Sequence, residues 1–86
     1  MSGTPPRFHP ARELASDRIA MEMHRANWEI VSTSLAIRRH YQAGTADFQA
    51  GEIARLRREI ATWQARHARL STQYQNVVER EVESGR

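Results

Sequence analysis

Residues 53–77 read IARLRREIATWQARHARLSTQYQNV, and this stretch decides the fold. Within it, mostly apolar side chains recur at alternating spacings of three and four residues. Such spacing is typical of the a and d positions of a helix that packs along another helix. The positions are Ile53, Leu56, Ile60, Trp63, His67, Leu70, Tyr74 and Val77. A single helix cannot bury such a row, so the pattern predicts a second helix beside it.

The residues that precede this stretch supply the second helix. A long helical pattern ends with the basic residues Arg38 and Arg39, and Gly44 follows as a typical helix-terminating glycine. The link of Gly44 and Thr45 is so short that the two helices must run antiparallel. We therefore predict an all-α fold, an antiparallel two-helix hairpin resembling a coiled coil, completed by oligomerisation into a helical bundle or by docking on a partner.

The predicted hairpin spans residues 11–81, with helix 1 at about 11–43, a turn at 44–45 and helix 2 at about 46–81. Thr45 is predicted to cap helix 2. Residues 1–10 contain three prolines, each of which disfavours helix at the preceding residue, so we predict an extended N-terminal arm there. The polar residues 82–86 are predicted to form a frayed tail.

A hairpin centred on this turn places residues opposite one another when their numbers sum to about 90. Small Ala26 then faces bulky Trp63, and Ser16 faces Tyr74, which is the size complementarity that a packed interface needs. We call the facing residues of the two helices the seam. Helix 1 contributes to it Ile19, Met23, Ala26, Ile30 and Ile37.

Helix 1 carries a second apolar face, on the side away from the seam. We call it the stripe, and it consists of Leu14, Met21, Trp28, Val31 and Leu35. Four of the five recur every seven residues, and burying four such side chains would contribute on the order of 6 to 10 kcal/mol before association costs. Monomeric proteins rarely expose an apolar row of this length.

The stripe and Phe8 of the arm are therefore the predicted protein interface. The partner is a second copy of the chain, most simply in a two-fold four-helix bundle, or another protein that helix 1 contacts. The alternative is a bent monomer in which the arm or the tail covers the stripe.

Composition narrows the possible functions. The 86 residues include no cysteine, so neither a disulfide framework nor a thiolate metal site is available. No two of the four histidines have the i, i+4 spacing of a metal-binding helix, no nucleophile has an evident base beside it, and no glycine-rich loop follows a strand. We expect no metal, no cofactor, no catalytic residue and no small-molecule substrate, and hence no enzyme.

A membrane and a nucleic acid are two further classes of partner. No apolar run exceeds three residues, so we expect no membrane contact, and we expect synthesis in the cytoplasm. The final location stays open, with a phage virion and a secretion apparatus as the two candidates. An outer face of helix 2 carries Arg55, Arg58 and Arg69, and the chain has a net charge of +3. A small helical dimer that binds RNA or DNA through this face is therefore the alternative function, although acidic residues are interleaved with the arginines.

Helical hairpins of similar length are secreted by type VII systems and carry Trp-x-Gly at the turn. Here the turn reads Gln42, Ala43, Gly44, Thr45, so the sequence identifies no family. The sequence predicts a non-enzymatic structural or adaptor subunit that works by helix–helix interaction in a larger assembly.

Overall fold

The computed structural model describes residues 14–85, which form two α-helices packed against each other. Helix α1 is Ala15–Gln42 and helix α2 is Ala50–Ser84. They make an elongated hairpin with extents of 65 × 30 × 15 Å, and the predicted all-α hairpin is confirmed. The predicted arm at residues 1–10, with Phe8, lies outside the described residues, as do residues 11–13 and Arg86.

Helix α1 starts later than predicted. Leu14 is extended, with φ −75° and ψ 149°, and it accepts the first helical hydrogen bonds from the N–H groups of Asp17 and Arg18. Leu14 is therefore the residue that precedes the helix, not a member of it. The side chain of Leu14 has no hydrogen-bond acceptor and cannot cap the helix. Glu81 of α2 takes that role by accepting the Ser16 N–H.

Helix α1 ends next to Gly44, the residue that was predicted to terminate it. Gly44 has a φ of 73°, in the left-handed region that a residue with a Cβ rarely adopts. The N–H of Thr45 donates to the carbonyl of His40 at 3.0 Å, and the N–H of Gly44 donates to that of Tyr41 at 3.2 Å. These two bonds form a Schellman motif, which satisfies carbonyls that the helix leaves unpaired.

The connection is longer than the predicted turn at residues 44–45. The hydroxyl of Thr45 donates to the carbonyl of His40 at 3.2 Å, so this side chain lies against the end of α1. Thr45 does not cap α2 as predicted, because the residue that precedes α2 is Gln49. One further helical turn follows, closed by the Gln49 N–H on the Thr45 carbonyl at 3.0 Å. Because Gln49 leaves helical geometry, with φ −110° and ψ 27°, regular helix begins only at Ala50.

Helix α2 extends beyond its predicted end at about residue 81, and the fraying of residues 82–86 stays a prediction. Helix α2 continues to Ser84, and the Gly85 N–H donates to the Glu81 carbonyl at 3.0 Å. In this last part of α2, the Glu81 side chain is bonded to Ser16 of α1.

The seam residues line the contact between the helices. The buried residues of the described chain are Ser16, Ala26, Thr33, Ile53, Leu56 and Leu70. The half-buried seam residues are Ile19, Met23, Ile30, Ile37, Ile60, Trp63, His67 and Val77. Tyr74, at 37% exposure, lies at the margin of the seam. Two helices alone enclose little volume, and only Ala26 is completely covered within residues 14–85.

Candidate protein-interaction surface

The stripe remains exposed in the hairpin. Met21 and Trp28 are 68% and 64% accessible, and Leu14, Val31 and Leu35 are between 44% and 51% accessible. From Leu14 to Leu35 the row extends about 31 Å at 1.5 Å per residue. No part of residues 14–85 covers it, so the described tail does not provide the cover that a bent monomer would need.

Helix geometry explains why α2 cannot reach these side chains. Each residue turns the helix by about 100°, so Trp28 lies about 160° around the axis from both Ala26 and Ile30. Ala26 is buried against α2, and Trp28 therefore points away from it. One helix cannot cover two opposite faces of its neighbour, so the hairpin fold by itself leaves the stripe without a partner.

Charged residues border the stripe on one side. Arg18 and Arg25 follow stripe positions by four residues, and Glu22 and Glu29 follow them by one, so all four lie on the same flank. The Arg25 Nε lies 3.8 Å from Glu29 Oε2, in a loose pair whose arginine side chain is 73% exposed. This flank therefore alternates basic and acidic groups along the apolar row.

A polar cluster joins this flank to α2. Arg66 donates from Nη2 to Glu22 Oε1 at 3.2 Å, and its guanidinium carbon lies 5.8 Å from the centre of the Trp63 ring. Such a contact over an aromatic face is favourable for a cation. An open groove runs beside the cluster, lined by Met21, Glu22, Arg25, Trp63 and Arg66. The cluster ties the two helices together next to Met21 without covering the stripe.

A carboxylate of α2 caps α1 where the stripe begins. Glu81 accepts the Ser16 backbone N–H at 3.2 Å on Oε2 and the Ser16 hydroxyl at 2.7 Å on Oε1. The N–H groups of a first helical turn have no partner inside the helix, and a negative charge there also interacts favourably with the helix dipole. Glu81 thus fixes the open end of the hairpin beside Leu14.

The sequence register placed Ser16 opposite Tyr74, and it did not predict the bond to Glu81. Helical side chains lean towards the N-terminus of their own helix. Ser16 therefore leans out towards the open end of the hairpin, while Glu81 leans back towards the turn, and the two meet. In the sequence, the signal would have been a serine near the start of a helix and an acid about two helical turns beyond its register partner.

Near the turn, two aromatic residues are largely uncovered. Phe48 lies in the connection and is 88% exposed. Tyr41 is about half exposed, and its hydroxyl accepts a hydrogen bond from Arg57 Nη2 at 3.0 Å. The end near the turn is closed mainly by backbone hydrogen bonds.

The face proposed for nucleic acid is partly neutralised. Arg55 donates two hydrogen bonds of 2.8 Å to the Glu52 carboxylate and also pairs with Glu59. The hydrogen bond from Arg55 is the main cause that holds the pKa of Glu52 below its ordinary value, and the same pair raises the pKa of Arg55. Arg58 and Arg69 are exposed and make no salt bridge within residues 14–85.

The structure also bears on metal binding and on membrane insertion. In the part of the chain that it describes, no three acidic, histidine or cysteine side chains come together as a metal site would require. His67 lies half-buried in the seam, and His24 is exposed. Neither described helix combines the length and the apolar content needed to span a bilayer.

Comparison of the chain with models of known protein families, with curated proteins and with solved structures finds no match. The surface chemistry of the hairpin is therefore the basis for the functional argument.

Proposed function

We propose that this chain is a non-enzymatic structural or adaptor subunit that works by helix–helix interaction in a larger assembly. The observation that carries the proposal is the stripe, an apolar row about 31 Å long on α1. Its two largest members, Met21 and Trp28, are mostly exposed.

The form of the row favours a helical partner. Four of its five members recur at seven residues, with Val31 three residues after Trp28. A heptad row fits the groove of another helix, whose side chains follow the same repeat. Tryptophan is among the residues that contribute most when an interface buries them, so Trp28 is the expected centre of the contact.

The arginine face gives less support for nucleic-acid binding. Phosphate contacts need cations that are not already paired. Arg55 is held by Glu52 and Glu59, which leaves Arg58 and Arg69 as the exposed cations of that face. No observation on the described residues favours this function over protein interaction.

A photo-crosslinking residue introduced at Trp28 tests the proposal in the cells that produce the protein. We expect a protein adduct, because this side chain lies at the middle of the stripe. The matched control carries the same probe at Arg69, which is exposed on α2 and lies outside the stripe. Equal yields at the two positions, or no protein adduct at Trp28, would contradict an interface on the stripe.

A further inference from the structure

We propose that the stripe binds a second copy of this chain in an antiparallel arrangement. Leu14 then lies opposite Leu35 of the second copy, and Met21 lies opposite Trp28 of the second copy. The inference rests on the proposed function, since it names the partner of the same surface.

The spacing of the row permits this arrangement. Four of its five residues, Leu14, Met21, Trp28 and Leu35, are evenly spaced, so these four are symmetric about a point between residues 24 and 25. Val31 falls at the level of Arg18 of the second copy and lies outside this symmetry. An interface between two identical copies on a two-fold axis must be complementary to itself. Antiparallel pairing about this point makes layers of Leu with Leu and of Met with Trp, in which the flexible methionine can adapt to the aromatic ring.

A parallel pair would form less even layers. Each residue would then face its own counterpart, so two Trp28 side chains would share one layer while two Leu35 side chains shared the next. Well-packed interfaces alternate large and small residues across the contact. The sizes of the stripe residues therefore favour the antiparallel pair.

The charges beside the row favour the same direction. In an antiparallel helix pair, the same flank of each helix lies on the same side, whereas a parallel pair brings opposite flanks together. The flank with Arg18, Glu22, Arg25 and Glu29 would therefore meet itself in reverse. Arg18 comes within about 3 Å, along the axis, of Glu29 of the second copy, and this pair is made twice in the dimer. Near the axis, Arg25 comes level with Arg25 of the second copy, and Glu22 of the second copy lies about 3 Å further along to accompany the two cations.

The parallel pair lacks this complementarity. Its opposite flank carries Asp17, His24, Val31 and Arg38, which offer one carboxylate to the arginines and place Arg38 near Arg39.

The hairpin also leaves room for the antiparallel pair. Since the stripe points away from α2, the two α1 helices pack at the centre and both α2 helices lie outside.

The mass of the full chain gives the first test. Light scattering after size exclusion, at a series of concentrations, should show a species of twice the 9.9 kDa chain mass that dissociates on dilution. Trp28→Glu should remove it and leave helicity unchanged by circular dichroism. The matched control Arg69→Glu, on the exposed side of α2, should keep it. A monomer at every concentration would overturn the proposal.

Cysteine cross-linking tests the direction, because the sequence has no cysteine of its own. Residues 18 and 32 come level in the antiparallel pair, whereas each lies about 20 Å from its own counterpart. With a short thiol cross-linker, Arg18→Cys and Ser32→Cys should link only when mixed. Arg25→Cys should link alone, since it lies beside the two-fold axis.

The outcomes separate this inference from the proposed function. In a parallel dimer the three single variants would behave alike, and that result would overturn the antiparallel arrangement. If the chain is monomeric and the probe at Trp28 captures a different protein, the second copy is excluded while the interface function stands. If the chain is monomeric and the probe captures nothing, both fail.

Discussion

The two faces of α1 are covered to different extents. On the face against α2, the small residues Ser16, Ala26 and Thr33 are buried, while the larger residues Ile19, Met23, Ile30 and Ile37 are half-buried. The outward face leaves Met21 and Trp28 mostly exposed, whereas large apolar residues of an amphipathic helix ordinarily lie on a buried face.

This difference follows from what α2 contributes to the seam. Leu56 and Leu70 are buried there, and Trp63 is half-buried, so α2 supplies bulky side chains, and small residues of α1 such as Ala26 let the two helices approach closely. The stripe residues take no part in this contact. The comparison teaches that α1 has a second apolar face, which includes its largest side chain, Trp28, and which the hairpin leaves for another contact.

The largest expected difference in stability is between truncating a leucine of the seam and truncating a leucine of the stripe. Leu56→Ala should lower the free energy of unfolding by about 2 to 5 kcal/mol, because it empties a buried position. Leu35→Ala removes the same atoms from an exposed position and should cost less than about 1 kcal/mol. Urea denaturation at a concentration where the chain is monomeric measures both. Equal losses would break the distinction between the two faces.

A larger side chain at a covered position of the seam should also destabilise the hairpin, but by less than the Leu56 truncation. Ala26→Leu forces extra atoms into the one fully covered position and should destabilise the hairpin by about 1 to 3 kcal/mol. Ala61→Leu makes the same change at an exposed alanine of α2 and should leave the melting temperature nearly unchanged. If Ala26→Leu were tolerated equally well, the close approach at Ala26 would not limit the size of seam residues.

The cap at the open end should contribute less again. Glu81→Gln removes the charge that faces the start of α1 and should lower stability by about 1 kcal/mol. Glu83→Gln is the control, because that side chain is exposed and makes no bond to α1 within the described residues. Hydrogen exchange of the Ser16 amide should quicken for Glu81→Gln alone. An unchanged exchange rate would mean that the carboxylate does not hold this end.

The smallest effect concerns the exposed pair on α2. Because hydrogen bonding to Arg55 holds the pKa of Glu52 below 4.5, the pair stabilises the folded chain above the ordinary glutamate pKa. That stabilisation is lost as the pH falls through the lowered pKa. Arg55→Ala should raise the pKa of Glu52 in an NMR titration, and Arg58→Ala should leave it unchanged. A pKa of Glu52 that did not respond to Arg55→Ala would contradict the pairing.

The sequence predicted correctly those features that depend on the spacing of residues along a single helix. The heptad row from Ile53 to Val77 predicted the hairpin, and the structure confirms that fold. Gly44 marked the end of α1, because its left-handed conformation is a local property. The seven-residue spacing also identified the stripe residues, and their role as an interface stays a prediction.

The sequence was less informative about where α2 begins and where it ends. The Thr45 side chain bonds the His40 carbonyl at the end of α1, and regular helix resumes only at Ala50. The end of α2 was placed too early, at about residue 81, whereas the helix continues to Ser84. Local propensity does not include contacts that form only between packed helices, such as the bond of Glu81 to Ser16.

The sequence by itself determined that this chain forms two antiparallel helices, because a heptad row and a helix-ending glycine act over a few residues. The tertiary structure decided how much of each seam residue is covered, and it paired Ser16 with Glu81 across 65 positions of sequence. That contact depends on the direction in which side chains lean from two packed helices, which becomes defined only when the helices are in place.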